Sequence, residues 1–395
     1  MKLLNNKLTW VVTTIILLIG YGVSCTKNDQ VLDVAAPINN STDLVSVKVT
    51  TPPTIDGTID AIWDNSPKLK FSTAVPEVTG DVFRGYNGNI IPSVTLRSAY
   101  DDNNIYFLAE WVDPTQSLTR LPWYFDPITQ LWAQEKGLPT FSTTGSITRL
   151  AFYEDKAAFL WNANNSVSGW NSATCYKSCH TGLPASDGSS RHFTNYQSEI
   201  IDMWHWKSVR GGTNAGFQFE DQNQIYKYPN GRQGDPGNNV YANNVQTLGS
   251  VTVPKYVIPG RSNYGWITAS ELTDGTAKTV TTVSATGVLT LSDGSTIDPN
   301  VGTDYQRVGA GVGPKSIPGL TITTGYTASR GDITCKASYT GVGWILEFKR
   351  ALKTTDAVYD VDFSSLAEQY FGFAIFENSQ IAHSIKPNLV LKFKK

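Results

Sequence analysis

An all-β fold, an antiparallel β-sandwich with long loop insertions and few short helices, is what this sequence predicts. Two observations carry the prediction. Short β-branched runs are separated by Gly, Asn and Asp, the punctuation of strands and turns. Aromatic residues make up 11% of the 395 residues, with 11 Trp and 18 Tyr, and Gly, Ser, Thr and Asn are plentiful beside them, a composition that favours sheets. Lys and Arg total 32 against 34 Asp and Glu. The chain is therefore near neutral and offers no basic face for a nucleic acid. It has no internal repeat, no P-loop and no G-x-G-x-x-G context.

The chain opens on a targeting segment, residues 1–24. Lys2 and Lys7 precede an apolar run from Leu8 to Gly20. That run is about 13 residues, short of the roughly 20 a membrane span needs, and reads as a signal peptide. Gly22-Val23-Ser24-Cys25 follows. A cysteine directly after small residues resembles a bacterial lipobox, although Gly22 stands where that pattern has Leu. Cys25 is thus the expected lipidation site, with ordinary signal cleavage or an uncleaved anchor as alternatives. No other stretch is long and apolar enough to span a bilayer. The body is expected to be exported and membrane-anchored as a lipoprotein, facing the periplasm or the cell surface.

Residues 25–44 are rich in Asn, Asp, Ser and Thr and read as a flexible tether. The body, residues 45–395, begins with a strand over Leu44–Thr50, where Val45, Val47 and Val49 alternate with polar residues. Asp56-Gly57 marks a turn, and Asp60 can cap a short helical turn carrying Trp63. Val94–Ala99 and Ile105–Trp111 form a hairpin across Asp101-Asp102-Asn103-Asn104. Residues 115–145 read as an irregular, aromatic-rich loop. Ile147–Tyr153 and Lys156–Trp161 are the next strands. Residues 211–330, high in Gly, Asn, Thr and Pro, read as long loops inserted between core strands, with a small hairpin over Thr279–Val283 and Gly287–Leu291. Gly343–Arg350, Tyr370–Phe376 and Leu389–Phe393 close the core.

The chemistry centres on residues 175–180, Cys-Tyr-Lys-Ser-Cys-His. This C-x-x-x-C-H motif is one residue longer than the usual c-type haem attachment pattern. Two nearby thiols can each form a thioether to a haem vinyl group, and the histidine after the second cysteine is held beneath the iron as proximal ligand. Cys175, Cys179 and His180 are therefore the expected attachment set for one covalent haem c. A Cys175–Cys179 disulfide or half a zinc site are the alternatives. Export agrees with haem, because c-type haem is attached outside the cytoplasm in bacteria. Of the four cysteines, one goes to lipid and two to haem. Cys335, in a strand-like stretch, is left as a small buried apolar residue.

The opposite axial position has few candidates. Period-2 alternation through Ile201–Lys207 puts Met203, His205 and Lys207 on one face and Asp202, Trp204 and Trp206 on the other. His205 is the favoured sixth ligand, since its ring sits in an aromatic strand that can fix it. Met203, His192, Lys207 and His383 are the others.

Taken together these residues resemble the ethylbenzene dehydrogenase-type haem-binding family. The likeness runs in order through Ile55-Asp56-Gly57…Trp63, Val94…Trp111-Val112-Asp113 and Glu154-Asp155-Lys156. It continues through the cysteine motif, Asp202-Met203-Trp204-His205-Trp206-Lys207, Trp344…Leu352 and Phe373…Asn378…His383. The long Gly/Asn-rich middle is poorly covered. The resemblance implies a β-sandwich that holds one haem and passes single electrons. In the family's molybdenum-enzyme complexes the module is a b-type cytochrome subunit with Met and Lys as axial ligands. This chain departs from that pattern by carrying C-x-x-x-C-H, which puts the Met and Lys carry-over in doubt.

Three functions compete. An electron-transfer cytochrome suits an iron filled by two protein ligands, and its partner would be a redox protein, another cytochrome or an oxidoreductase subunit. A haem enzyme or sensor needs an open distal position and, for catalysis, an acid or base beside it; the sequence displays no such constellation. A surface lipoprotein with a carbohydrate-binding-like sandwich would stack sugars on exposed Trp and Tyr.

Overall fold

The computed structural model describes residues 41–75, 90–178, 194–211, 218–226, 231–261 and 265–395. The signal segment, Cys25, most of the tether, Cys179, His180 and His192 lie outside the described residues. No helix among the described residues is long and apolar enough to cross a membrane.

Among the described residues, twelve strands form the principal sheet: β1 (Asp43–Lys48), β2 (Leu69–Ala74), β3 (Ile90–Tyr100), β4 (Asn104–Val112), β5 (Lys156–Asn162) and β6 (Ile200–Lys207), then β7 (Glu220–Ile225), β8 (Arg232–Gly234), β9 (Thr334–Tyr339), β10 (Gly343–Ala351), β11 (Gln369–Phe376) and β12 (Ser384–Lys394). The hydrogen-bonded order is β8-β7-β6-β5-β11-β12-β1-β3-β4-β10-β9, with β2 bridging β12 and β3. Pairing is antiparallel except at β1, which runs parallel to both β12 and β3. The β3–β4 turn forms because Asp101 Oδ1 accepts the Asn103 and Asn104 amides while Oδ2 accepts the Tyr106 hydroxyl.

This ribbon folds over on itself. Phe107 of β4 lies 5.8 Å, ring centre to ring centre, from Trp204 of β6, and Trp111 of β4 lies 5.7 Å from Trp206. These strands are far apart in the sheet order, so their contact makes two layers around one core. Phe159, Trp161, Phe348, Phe371 and Phe373 fill the space between the layers. At one corner the layers are stitched together, where the Phe219 amide donates to the Ile333 carbonyl at 3.0 Å. Cys335 is buried in this core and its thiol is pushed up by that burial, as suits a small apolar residue.

Two stretches differ from the sequence reading. Within 115–145, Trp123–Asp126 pairs with Leu131–Gln134 as a hairpin. Within 211–330, short strands form several small sheets beyond the expected hairpin, which is present as Lys278–Val283 against Leu289–Leu291. These regions share a second core of Trp123, Phe125 and Trp132 with Val253, Val280, Leu289 and Ile317. The Trp132 indole donates to the Gly287 carbonyl at 2.7 Å, and the Trp123 indole donates to that of Asn244 at 2.7 Å. The other strands here are mostly two or three residues long and give too few alternations to register as periodic, so their pairing is invisible without the partner. The strand expected over Ile147–Tyr153 ends at Arg149, and the amides beyond it go to other segments, Leu150 to the Ala310 carbonyl at 2.9 Å, Phe152 to that of Lys136 at 2.9 Å and Tyr153 to Asn378 Oδ1 at 2.8 Å.

Candidate functional site

The outer face of the β7-β6-β5-β11 layer is built by strand alternation. Trp204 and Trp206 point into the core, so Met203, His205 and Lys207 point out, and all three line one cavity of about 210 Å³. Register sets the neighbouring rows. His205 sits beside Ala158, which sits beside Ala374; Met203 sits beside Leu160, which sits beside Gly372. Small residues at 158, 372 and 374 leave the floor low. Cys175 comes down onto this floor. A Cβ at Gly372 would lie 3.3 Å from both the Cβ and the Sγ of Cys175, so glycine there makes room for the cysteine.

The segment that delivers Cys175 is held by polar contacts. Thr174 has φ of 39°, a left-handed conformation costly for a β-branched residue. Its hydroxyl accepts the Asn388 amide at 3.0 Å, which ties the strained residue to β12. The Ser178 hydroxyl donates to Gln224 Oε1 at 2.8 Å, and Gln224 Nε2 in turn lies 3.7 Å from the Met203 sulfur. The motif's first half is thus fastened to both β12 and β7.

His205 is 2% exposed, and its Nδ1 lies 3.1 Å from Gln222 Oε1. An amide oxygen only accepts, so Nδ1 carries the proton and donates. Nε2 then bears the lone pair, and it is buried without a hydrogen-bond partner. Burial, followed by Lys207, Lys156 and Arg232, pushes the imidazole well below its ordinary value. A neutral histidine oriented through Nδ1–H, with an unpartnered Nε2, has the form of a metal ligand.

The other candidates are differently placed. The Lys207 ammonium donates to Glu220, which also accepts from Arg330. Burial lowers Lys207 to about 8 despite that carboxylate. Half-buried His383 lines the same cavity, its Nδ1–H donating to the Ile381 carbonyl at 2.6 Å, and burial pushes it down to about 4. The Phe376 ring lies between the two imidazoles, 5.6 Å from His205 and 4.6 Å from His383.

The sequence reading missed the cavity's basic rim. Lys156, Arg210 and Arg232 line it. Lys156 donates to the Gln380 carbonyl at 3.0 Å, its Nζ 4.1 Å from the Phe376 ring centre. Burial, followed by the charge of Arg210, holds Lys156 well below its ordinary value. Arg210 is paired with Glu154. The alternation Lys156, Ala158, Leu160 could have placed Lys156 on this face; Arg210 and Arg232 carry no such signal.

Burial works to raise the Glu220 carboxyl, but Lys207 and Arg330 overcome it and hold the group at about 2. A depressed acid stabilises fully above its unfolded value and loses that contribution as pH falls toward its folded one. We predict that acid unfolding of the wild type includes a Glu220 component between pH 4.5 and about 2. In Glu220→Gln that component vanishes, and stability at pH 7 drops by about 3–5 kcal/mol, the cost of breaking a buried pair. Urea melts at stepped pH check this; equal loss of stability with pH in both proteins would reject it.

Comparison with known proteins adds the following. The family model described as "Ethylbenzene dehydrogenase" matches residues 60–387. No curated protein matches the chain. Solved structures similar to it include a carbohydrate binding module family 9 from Caldicellulosiruptor kristjanssonii in complex with glucose. It is 10% identical, with 89% of this chain and 95% of that one covered and a TM-score of 0.29. The same module in complex with cellotriose gives 10% identity, coverage of 89% and 93%, and a TM-score of 0.29.

Proposed function

This chain belongs to the ethylbenzene dehydrogenase family, a redox-related family associated with haem and metal cofactors, and on that premise we propose that it is an exported c-type cytochrome. It carries one haem c, bound through Cys175 and Cys179 with His180 and His205 as axial ligands. It is held to a membrane by lipid on Cys25, and it passes single electrons to or from a redox partner protein. The observation that carries this reading is the buried, unpartnered Nε2 of His205 in the cavity that also receives Cys175.

The residues fit a haem. Small side chains keep the floor open, the tautomer of His205 is fixed for ligation, and Arg232 at the rim supplies positive charge for a carboxylate side arm. When bound, the group supplies a one-electron couple at iron. The chain's own part is to hold two ligands, exclude water with Phe376 and Leu160, and keep His205 neutral. Every described tryptophan is buried or half-buried, so the sugar-binding alternative would have to stack on exposed tyrosines such as Tyr196 and Tyr226.

The test is an absorption spectrum of protein matured with a haem-attachment system. The expected result is a c-type pyridine haemochrome and reversible reduction by dithionite. Binding of carbon monoxide by the native reduced protein would favour an enzyme or sensor. Absence of covalent haem would return the sugar-binding reading to first place.

A further inference from the structure

The inward side of β6 carries a second group of residues that the haem reading does not use. Asp202 on β6, Asp221 on β7, Asp235 just after β8 and Asp360 in the β10–β11 connection are each 0–2% exposed. One oxygen each from Asp202, Asp221 and Asp360 lie within 4.8 Å of one another. Asp360 forms a second such group with Asp235 and Asp356. The buried cation among them is Arg350, whose Nη1 donates to Asp202 Oδ2 at 3.0 Å and stands 3.8 Å from Asp221 Oδ2. Four buried carboxylates face one guanidinium, and uncompensated buried charge is costly.

A separate observation points to a ligand. Both oxygens of Asp360 are buried without a hydrogen-bond partner, and so are Asp202 Oδ1 and Asp235 Oδ2. The nearest groups to these oxygens are other carboxyls of the cluster and Thr354, and the Asp360 oxygens sit where the two groups meet. An all-oxygen, carboxylate-rich, enclosed site suits a large hard cation that accepts many protein oxygens. It does not suit Mg²⁺, which keeps its waters.

We propose that this cluster binds a divalent cation of the Ca²⁺ class, fastening the β10–β11 connection to β6 and β7. Burial, followed by the charge of Asp202, raises the Asp235 carboxyl to about 9, which shows how poorly Arg350 alone balances the group. Bound protons are the competing solution.

The experiment uses the full haem-loaded chain. Metal content is measured by plasma mass spectrometry as purified. The protein is then stripped with EGTA and melted with and without millimolar Ca²⁺. We expect about one Ca²⁺ per chain and a melting temperature raised by several degrees on Ca²⁺ addition, as for any ligand of the native state alone. Asp360→Asn should lose that rise while keeping the haem spectrum. If the variant fails to fold, Tb³⁺ titration of the wild type decides. Saturable emission sensitised by tryptophan and displaced by Ca²⁺ supports the site. No emission, or a melt indifferent to both EGTA and Ca²⁺, overturns it in favour of shared protons.

Discussion

In the His205→Ala protein, the haem spectrum is expected to change from low-spin toward high-spin, and the reduced form to bind carbon monoxide. Among the described residues, the substitution removes an imidazole nitrogen of the cavity that is oriented through its ring partner and itself unpartnered. It also leaves the Gln222 carbonyl without its donor, a loss of about 1–3 kcal/mol for a buried acceptor, so folding should survive. Lys207→Ala and Met203→Leu are the controls. Lys207 is committed to Glu220, and the Met203 sulfur lies against Gln224; both variants should remain low-spin. His205→Met should restore a six-coordinate iron at a higher potential, since thioether ligation favours the reduced state. A low-spin spectrum unchanged in His205→Ala would remove His205 from the assignment and turn attention to His383 or His192.

The second large effect is expected from the attachment cysteines. In Cys175→Ser with Cys179→Ser, haem should separate from the chain on a denaturing gel, where the wild type keeps it. Cys175→Ser alone should retain haem through one thioether, with a pyridine haemochrome displaced toward the b-type position. The packing at Gly372 makes the single variant informative. Serine is slightly smaller than cysteine and fits the same space, so a changed spectrum reports the missing bond and not a distorted floor. Haem that stays on the double variant under denaturing conditions would end the c-type reading.

How much of this was legible in advance follows from how local each signal is. The outward set of Met203, His205 and Lys207 rests on period 2 within one strand, and it is found facing the cavity. The cysteine motif rests on six adjacent residues. The closing strands announce themselves as apolar runs. Gln222, which orients His205, gives no such warning, because its role exists only through the pairing of β6 with β7. Gly372 reads as a weak point in a strand until Cys175 is seen above it. The aspartate group draws on four segments between residues 202 and 360, a span across which no spacing rule operates. The second core is hidden for the same reason, its aromatic hairpin and its aliphatic partners lying more than a hundred residues apart.

One consequence follows from the placement of β1. It is the first described strand, and it is gripped on both edges by parallel neighbours, Asp43–Val47 against Val390–Lys394 and Ser46–Lys48 against Ser98–Tyr100. Asp43 is further clamped by Lys392 at 2.7 Å. Tension arriving along the preceding residues would pull β1 lengthwise between its neighbours, loading the rungs of both ladders together instead of peeling them singly. That load would pass directly into β12, which also supplies Ile385 to the cavity lining and the Asn388 amide that holds Thr174, so a pull on the first strand would reach the edge of the site through one shared strand.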